Sequence, residues 1–345
     1  MRRSRYLGVD RGVVYLGALL TILPPDANVL PLAPRILPTL IQILATYQED
    51  PEPLVDLALK LLKPVPFTQA LALASEDALV QALRSPSPFM NILAIAVLEK
   101  AARSPGDTAL LSVRREVVQT FLGTWLSSPH VEVGERAAKA LGDLLSMDCD
   151  HRSSADLDSR MHGLAISLQT PPGGGLLWRR IFQDGEIYKS LFDLCSFKTV
   201  GKGESKLDER QKSLAQARLL RILPRLATLN FPAISKTDFP GVEQKYGVQE
   251  GEQGILWFAA TNMVNKEEDV LMHMMVIDFF PELMHAISET KPTHSTYDYL
   301  FLLRRKVTST DIILRQTLED LEVDPKTPEQ LKTLLRALRT GGRPL

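Results

Sequence analysis

Apolar segments along this chain repeatedly end in a proline-containing turn, after which a second apolar segment begins. Gln48-Glu49-Asp50-Pro51 precedes Leu54, Val55, Leu57, Ala58, Leu61 and Leu62. Arg84-Ser85-Pro86 precedes Met90, Ile92, Leu93, Ile95, Ala96 and Leu98, and Ser127-Ser128-Pro129 precedes Val131, Val133, Ala137, Ala138, Leu141, Leu144 and Leu145. The apolar positions recur at steps of three and four, which places them on one face of a helix. Ala137, Leu141, Leu144 and Leu145 share such a face. Each turn therefore joins two helices into a hairpin.

Further helices are predicted over Leu32–Tyr47, Asp77–Leu83, Val113–Leu126, Ile255–Phe258, Val270–Phe280 and Leu331–Leu338, with Pro281 opening another. Pro31, Pro34 and Pro38 are placed at the start of the first of these, where proline is best tolerated. Strand signals are nearly absent: no run alternates with period two for more than a few residues, and no Asn-Gly or Asp-Gly hairpin appears. Pro51, Pro86 and Pro129 lie 35 and 43 positions apart, close to the roughly 40–47-residue period of HEAT and armadillo repeats. The expected fold is all-α, a HEAT/armadillo-like α-solenoid of stacked helical hairpins over residues 29–340. Residues 1–28 are expected to hold an N-terminal helix and residues 341–345 a frayed tail. Irregular loops are expected near 148–158, 169–175, 197–212 and 231–254, where polar residues, proline and glycine collect.

The balance of charge narrows the partners. Forty basic and 41 acidic residues leave a formal charge of -1, whereas a sequence-independent DNA binder carries a clear positive excess. Aromatics are only 6% of the chain, which suits close helix packing through Leu and Ala. Cys149 and Cys195 have no CxxC neighbour, so both are expected as thiols in a reducing compartment. Arg2, Arg3 and Arg5 before the apolar run Val13–Leu23 resemble a signal peptide superficially. Asp10 and Arg11 interrupt that likeness, and the run is too short to span a bilayer.

No catalytic, cofactor or metal residue is expected. There is no G-x-S-x-G elbow and no H-E-x-x-H helix. Val200–Lys206 lacks the spacing of a phosphate loop, and the six histidines form no i, i+4 pair. Glu267, Glu268 and Asp269 are assigned to a helix N-terminus, where carboxylates meet orphan N–H groups. His273 is read as a packing histidine, and Met272, Met274, Met275 and Met284 as a packing seam. Trp178 is expected inward with Leu177, Ile181 and Phe182, leaving Arg179 and Arg180 as candidate partner contacts. Arg218, Arg221 and Arg225 fall on one helix face, favouring salt bridges between helices, with phosphate contact as the alternative. The better binding candidates are charged stripes on second helices: Glu132, Arg136, Lys139 and Asp143 in one, and Glu52, Asp56, Lys60 and Lys63 in another. Such stripes set specificity and on-rate more than affinity.

Three stretches resemble a known family: Leu176–Ser196 (LLWRRIFQDGEIYKSLFDLCS), Phe239–Gly247 (FPGVEQKYG) and Glu268–Phe280 (EDVLMHMMVIDFF). In this order and spacing they are similar to the HEAT/armadillo-type assembly chaperones of the proteasome regulatory-particle base, whose fungal branch also carries a mismatch-repair name. The resemblance covers roughly residues 30–305. It implies a C-shaped helical stack that binds the C-terminal domain of one AAA ATPase subunit of the base and leaves before the particle matures. The protein is expected to be a monomer of the cytoplasm and nucleus, with no membrane partner. The alternative reading is a DNA-repair accessory protein that uses Arg218, Arg221 and Arg225.

Overall fold

The structure, a computed structural model, describes residues 33–46, 51–149, 173–198 and 207–341. The helix expected within residues 1–28 lies outside the described residues, as do much of the loops near 148–158, 169–175 and 197–212 and residues 342–345 of the tail. Among the described residues there are seventeen α-helices, one 3-10 turn and no strand, so the chain is all-α. It divides into two compact units, Met1–Phe121 and Leu122–Leu345.

The first unit contains α1 (Ala33–Thr46), α2 (Glu52–Leu62), α3 (Phe67–Leu73), α4 (Glu76–Leu83), α5 (Pro88–Glu99), a 3-10 turn at Lys100–Arg103 and α6 (Pro105–Ser112). Helix α7 (Arg115–Ser127) contains the division between the units. Pro51 precedes α2 and Pro53 lies in its first turn, where a missing N–H costs nothing. Pro38 differs from its expected place at a helix start, because it sits inside α1. Leu93 through Leu98 of α5 are buried without interruption. That helix touches α2, α3 and α4, and each of its large side chains contributes about 1.5–3 kcal/mol by leaving water. Asn91 fixes the Ser85-Pro86 turn: its buried amide nitrogen meets the carbonyls of Ala82, Leu83 and Ser85 at 2.9, 2.9 and 3.0 Å. Lys100 and Arg103 donate to the Lys63 carbonyl at 3.3 and 3.2 Å, closing the end of α2. Burial, helped by Arg103, brings the Lys100 ammonium down to about 8.

The second unit holds α8 (Val131–Met147), α9 (Leu176–Phe182), α10 (Gly185–Cys195), α11 (Glu209–Ser235), α12 (Pro240–Lys245), α13 (Ile255–Thr261), α14 (Val270–Ser288), α15 (His294–Thr310), α16 (Ile312–Val323) and α17 (Glu329–Thr340). Helix α11 is its axis and packs against α8, α9, α10, α13 and α14. A capping box starts it: Asp208 accepts from the Gln211 N–H at 2.7 Å, and Gln211 returns the bond at 3.2 Å. The expected 197–212 loop therefore ends at Asp208. Buried Gln216 donates to the carbonyls of Cys195 and Met263, both at 2.9 Å, and ties α10 and α13 to the axis.

Two sequence expectations are corrected here. Residues 231–254 are not one irregular stretch: α11 continues to Ser235 after a kink at Asn230 (φ -155, ψ 77), and α12 follows. The Asn230 side chain accepts from the Ala233 N–H at 3.2 Å. Pro232 thus falls in a restarting first turn, and Pro240 opens α12, both tolerated sites for proline. Pro281 does not open a new helix, since α14 runs through it. Its flanking Phe279, Phe280, Leu283 and Met284 are buried and hold the helix in place despite the lost hydrogen bond. By length and composition α14 could cross a membrane. Here it packs along α11 and touches α16 and α17.

Candidate partner-binding surface

The expected charged stripe on α8 is divided between two uses. Glu132 and Lys139 are exposed and Arg136 is half-buried. Asp143 instead binds Arg225 of α11 at 2.8 Å, and neighbouring Glu135 lies 4.0 Å from Arg221. The arginine strip of α11 thus packs against α8. Arg218 is buried in that contact and donates to the carbonyls of Trp125, Leu126 and Ser128 at 2.9, 3.0 and 2.7 Å and of His130 at 3.1 Å. These carbonyls end α7 and form the Ser-Ser-Pro turn, so a guanidinium closes the helix C-terminus. Burial pulls the Arg218 pKa down while Glu135 acts the other way. Two glycines admit the arginines: a Cβ at Gly134 would lie 2.2 Å from Arg218 Nε, and one at Gly142 2.2 Å from Arg225 Nη1. The second stripe, Glu52, Asp56, Lys60 and Lys63, is exposed along and just beyond α2 in the first unit.

Arg179 and Arg180 sit on α9, whose start is organised by a residue that the sequence left in a loop. Asp148 is fully buried and accepts from the N–H groups of Leu176, Leu177 and Trp178 at 3.2, 2.6 and 3.1 Å. Burial raises its pKa, and those N–H groups oppose the rise. Trp178 is inward as expected, with Nε1 donating to the Leu145 carbonyl at 2.9 Å and its ring stacked on Phe182 at 5.5 Å. Arg180 pairs with Asp184 at 3.0 Å. Exposed Arg179 stands beside a groove of about 380 Å³ that Trp178, Phe182, Asn230, Lys236 and Asp238 also line. The α11 kink forms one wall of it.

A different feature stands at the N-termini of α14 and α16. Asp269 caps α14, accepting from the Met272 N–H at 2.9 Å, as the acidic run suggested. His273 Nε2 lies 2.7 Å and Lys266 Nζ 3.3 Å from Asp311, which also caps α16 through the Leu314 N–H at 3.0 Å. Burial alone would raise the Asp311 pKa; the Leu314 N–H, His273 and Lys266 outweigh it and hold the carboxylate below its ordinary value. Within three residues of this clamp, Val270, Leu271, Met274, Ile312 and Ile313 are exposed, Leu271 by 72% and Ile312 by 74%. The methionine seam is thus split: Met272 and Met284 are core, and Met274 is surface.

The first two of the three stretches that carry the resemblance meet in the core of this unit. Tyr188 of the first donates to Glu243 of the second at 2.6 Å, and the Gly254 N–H joins at 2.9 Å. Tyr246 donates to Asp193, and its ring lies 5.4 Å from Phe192. Burial raises the Glu243 pKa against bonds from Tyr188, Gly254 and Thr237, and burial next to Glu243 pushes Tyr188 far up. Cys195 is buried and Cys149 half-buried, both free. Among the described residues no group of three or more His, Cys, Asp or Glu is placed to hold a metal.

No protein-family model matches the chain, and no curated protein matches it.

Proposed function

We propose that this chain is a non-enzymatic helical-repeat scaffold that captures a folded protein partner. The observation that carries the proposal is the cluster of Val270, Leu271, Met274, Ile312 and Ile313, exposed around a polar clamp that fixes their two helices. A rigid apolar patch of this kind marks an interaction surface. Glu132, Arg136 and Lys139 offer a charged surface that would orient the encounter. The family resemblance names the client, the C-terminal domain of one AAA ATPase subunit of the proteasome base. On this reading the hairpins stack as a solenoid, and the bound chain blocks premature docking until ring assembly displaces it.

Nucleic-acid contact is the weaker reading. Its central residue, Arg218, is buried and bonded to four carbonyls.

Calorimetry of the chain against the isolated C-terminal domains of the six base ATPases tests the proposal. One domain is expected to bind at micromolar affinity or tighter. Leu271→Asp combined with Ile312→Asp should weaken it at least tenfold with no loss of stability, because both side chains already face water. Charge reversal at Arg136 and Lys139 should slow association. Binding to none of the six domains by a folded protein refutes the client.

A further inference from the structure

We propose that the groove at the α11 kink binds a peptide segment presenting one carboxylate beside an apolar side chain. The inference stands on the groove alone and holds whether or not an ATPase subunit is the client.

Arg179 supplies the anion contact. Its Nε donates to the Gly175 carbonyl at 3.3 Å and its Nη2 to the Gly174 carbonyl at 2.9 Å. A guanidinium has five N–H donors, so donors remain after both bonds. Those bonds hold the planar fork in place before any ligand arrives, which lowers the entropy lost on binding. Lys236 also lines the groove and is exposed, and its ammonium makes no hydrogen bond or ion pair among the described residues. Asn230 adds a third donor: its oxygen is occupied by the Ala233 N–H, and its amide nitrogen bonds nothing among the described residues.

Apolar side chains stand beside these donors, with the polar Gln183 and Thr237 completing the lining. The stacked rings of Trp178 and Phe182 contribute to it, and the Trp178 bond to Leu145 holds its ring fixed. Asp238 stands at the same groove, so one net positive charge faces a ligand. That charge matches a single carboxylate and disfavours a phosphate dianion. A volume of about 380 Å³ is at the small end of ligand sites and suits one or two residues of a peptide. A bidentate arginine contact is the strong form of carboxylate recognition. The carboxylate can come from a chain terminus or from an acidic side chain.

The test uses fluorescein-labelled alanine pentapeptides ending in leucine: one with a free C-terminal carboxylate, one amidated, and one amidated with a glutamate before the leucine. Anisotropy reports binding to the full chain, and Trp178 fluorescence locates it, with Trp178→Phe as control. At least one acidic peptide is expected to bind more than tenfold better than the neutral amide. Binding of the free acid alone identifies a chain end as the source, and binding of the glutamate peptide identifies a side chain. Arg179→Ala should weaken the bound peptide about tenfold or more. Lys236→Glu breaks no contact in the folded chain and should weaken binding likewise, which guards against a folding artefact. Three results would overturn the proposal: equal binding of the neutral amide, no binding of either acidic peptide, or full displacement by equimolar inorganic phosphate.

Discussion

Replacing Gly134 with alanine tests the packing of α8 on α11 directly. In an exposed helix interior, glycine to alanine stabilises by about 0.5–1 kcal/mol, because alanine loses less backbone entropy on folding. At Gly134 the added Cβ would lie 2.2, 2.3 and 2.4 Å from Nε, Cζ and Nη2 of Arg218. That guanidinium cannot swing aside cheaply, since it holds three carbonyls at the end of α7 and that of His130 before α8. A buried group left without its partner costs about 1–3 kcal/mol. Partial loss of this cluster, less the propensity gain, gives a net destabilisation of about 2–4 kcal/mol.

Two other glycines calibrate the effect. At Gly142 the clash is equally close, yet Arg225 is half-exposed and holds a surface pair with Asp143. Such a pair is worth under about 1 kcal/mol, so Gly142→Ala should be near neutral. At Gly123 a Cβ meets nothing within 4 Å, and Gly123→Ala should stabilise by up to about 1 kcal/mol. Urea unfolding followed by circular dichroism ranks the three. Repeating Gly134→Ala in an Arg218→Ala background should turn its cost into a gain, a non-additivity expected only of residues in contact. If Gly134→Ala stabilises the chain as much as Gly123→Ala does, Arg218 is not fixed by those carbonyls and the packing argument fails.

Asp148→Ala should cost about 2 kcal/mol or more in the same urea assay, because it strips three N–H groups of α9 of their acceptor. The buried Glu243 predicts a pH effect. Its folded pKa is raised, so the folded state holds the proton longer, and stability falls as pH climbs from about 4 through the folded value. Glu243→Gln keeps an acceptor for Tyr188 and should gain on the natural chain as pH rises from 4.5 to 8 in thermal melts; a constant offset would contradict the raised pKa. Asp311 predicts the opposite sign. Its pKa is depressed, so its stabilisation is present above the unfolded value near 4 and fades as pH falls through the folded one. Asp311→Asn should therefore destabilise at pH 7, with the difference closing in acid.

Helix positions were legible wherever one face is apolar and the other polar. Helix α2 buries every residue that its spacing marks, and α8 buries Val133, Ala137, Leu141, Leu144 and Leu145, leaving only Val131 in water and Ala138 half-buried. The short α3 and α6, seven and eight residues long, carry too little period to stand out. Proline and glycine counting failed at residues 231–254, because it cannot distinguish a proline that ends a helix from one in a restarting first turn. The contacts that organise the second unit have no local mark either: Arg218 to Trp125, Asp148 to Leu177 and Tyr188 to Glu243 bridge 93, 29 and 55 residues. One clue was available. Gly134 and Gly142 stand two turns apart on α8, as Arg218 and Arg225 do on α11, so small residues face bulky ones at matching intervals.

The apolar patch shows a deeper limit. Val270 to Phe280 is nearly all apolar, so periodicity cannot say which side the core takes. Packing decides it: α11, α16 and α17 cover Met272, Val276, Phe279 and Phe280, while Val270, Leu271 and Met274 stay in water. Three of the five side chains that best support a binding role were therefore hidden in the segment that looked most like core.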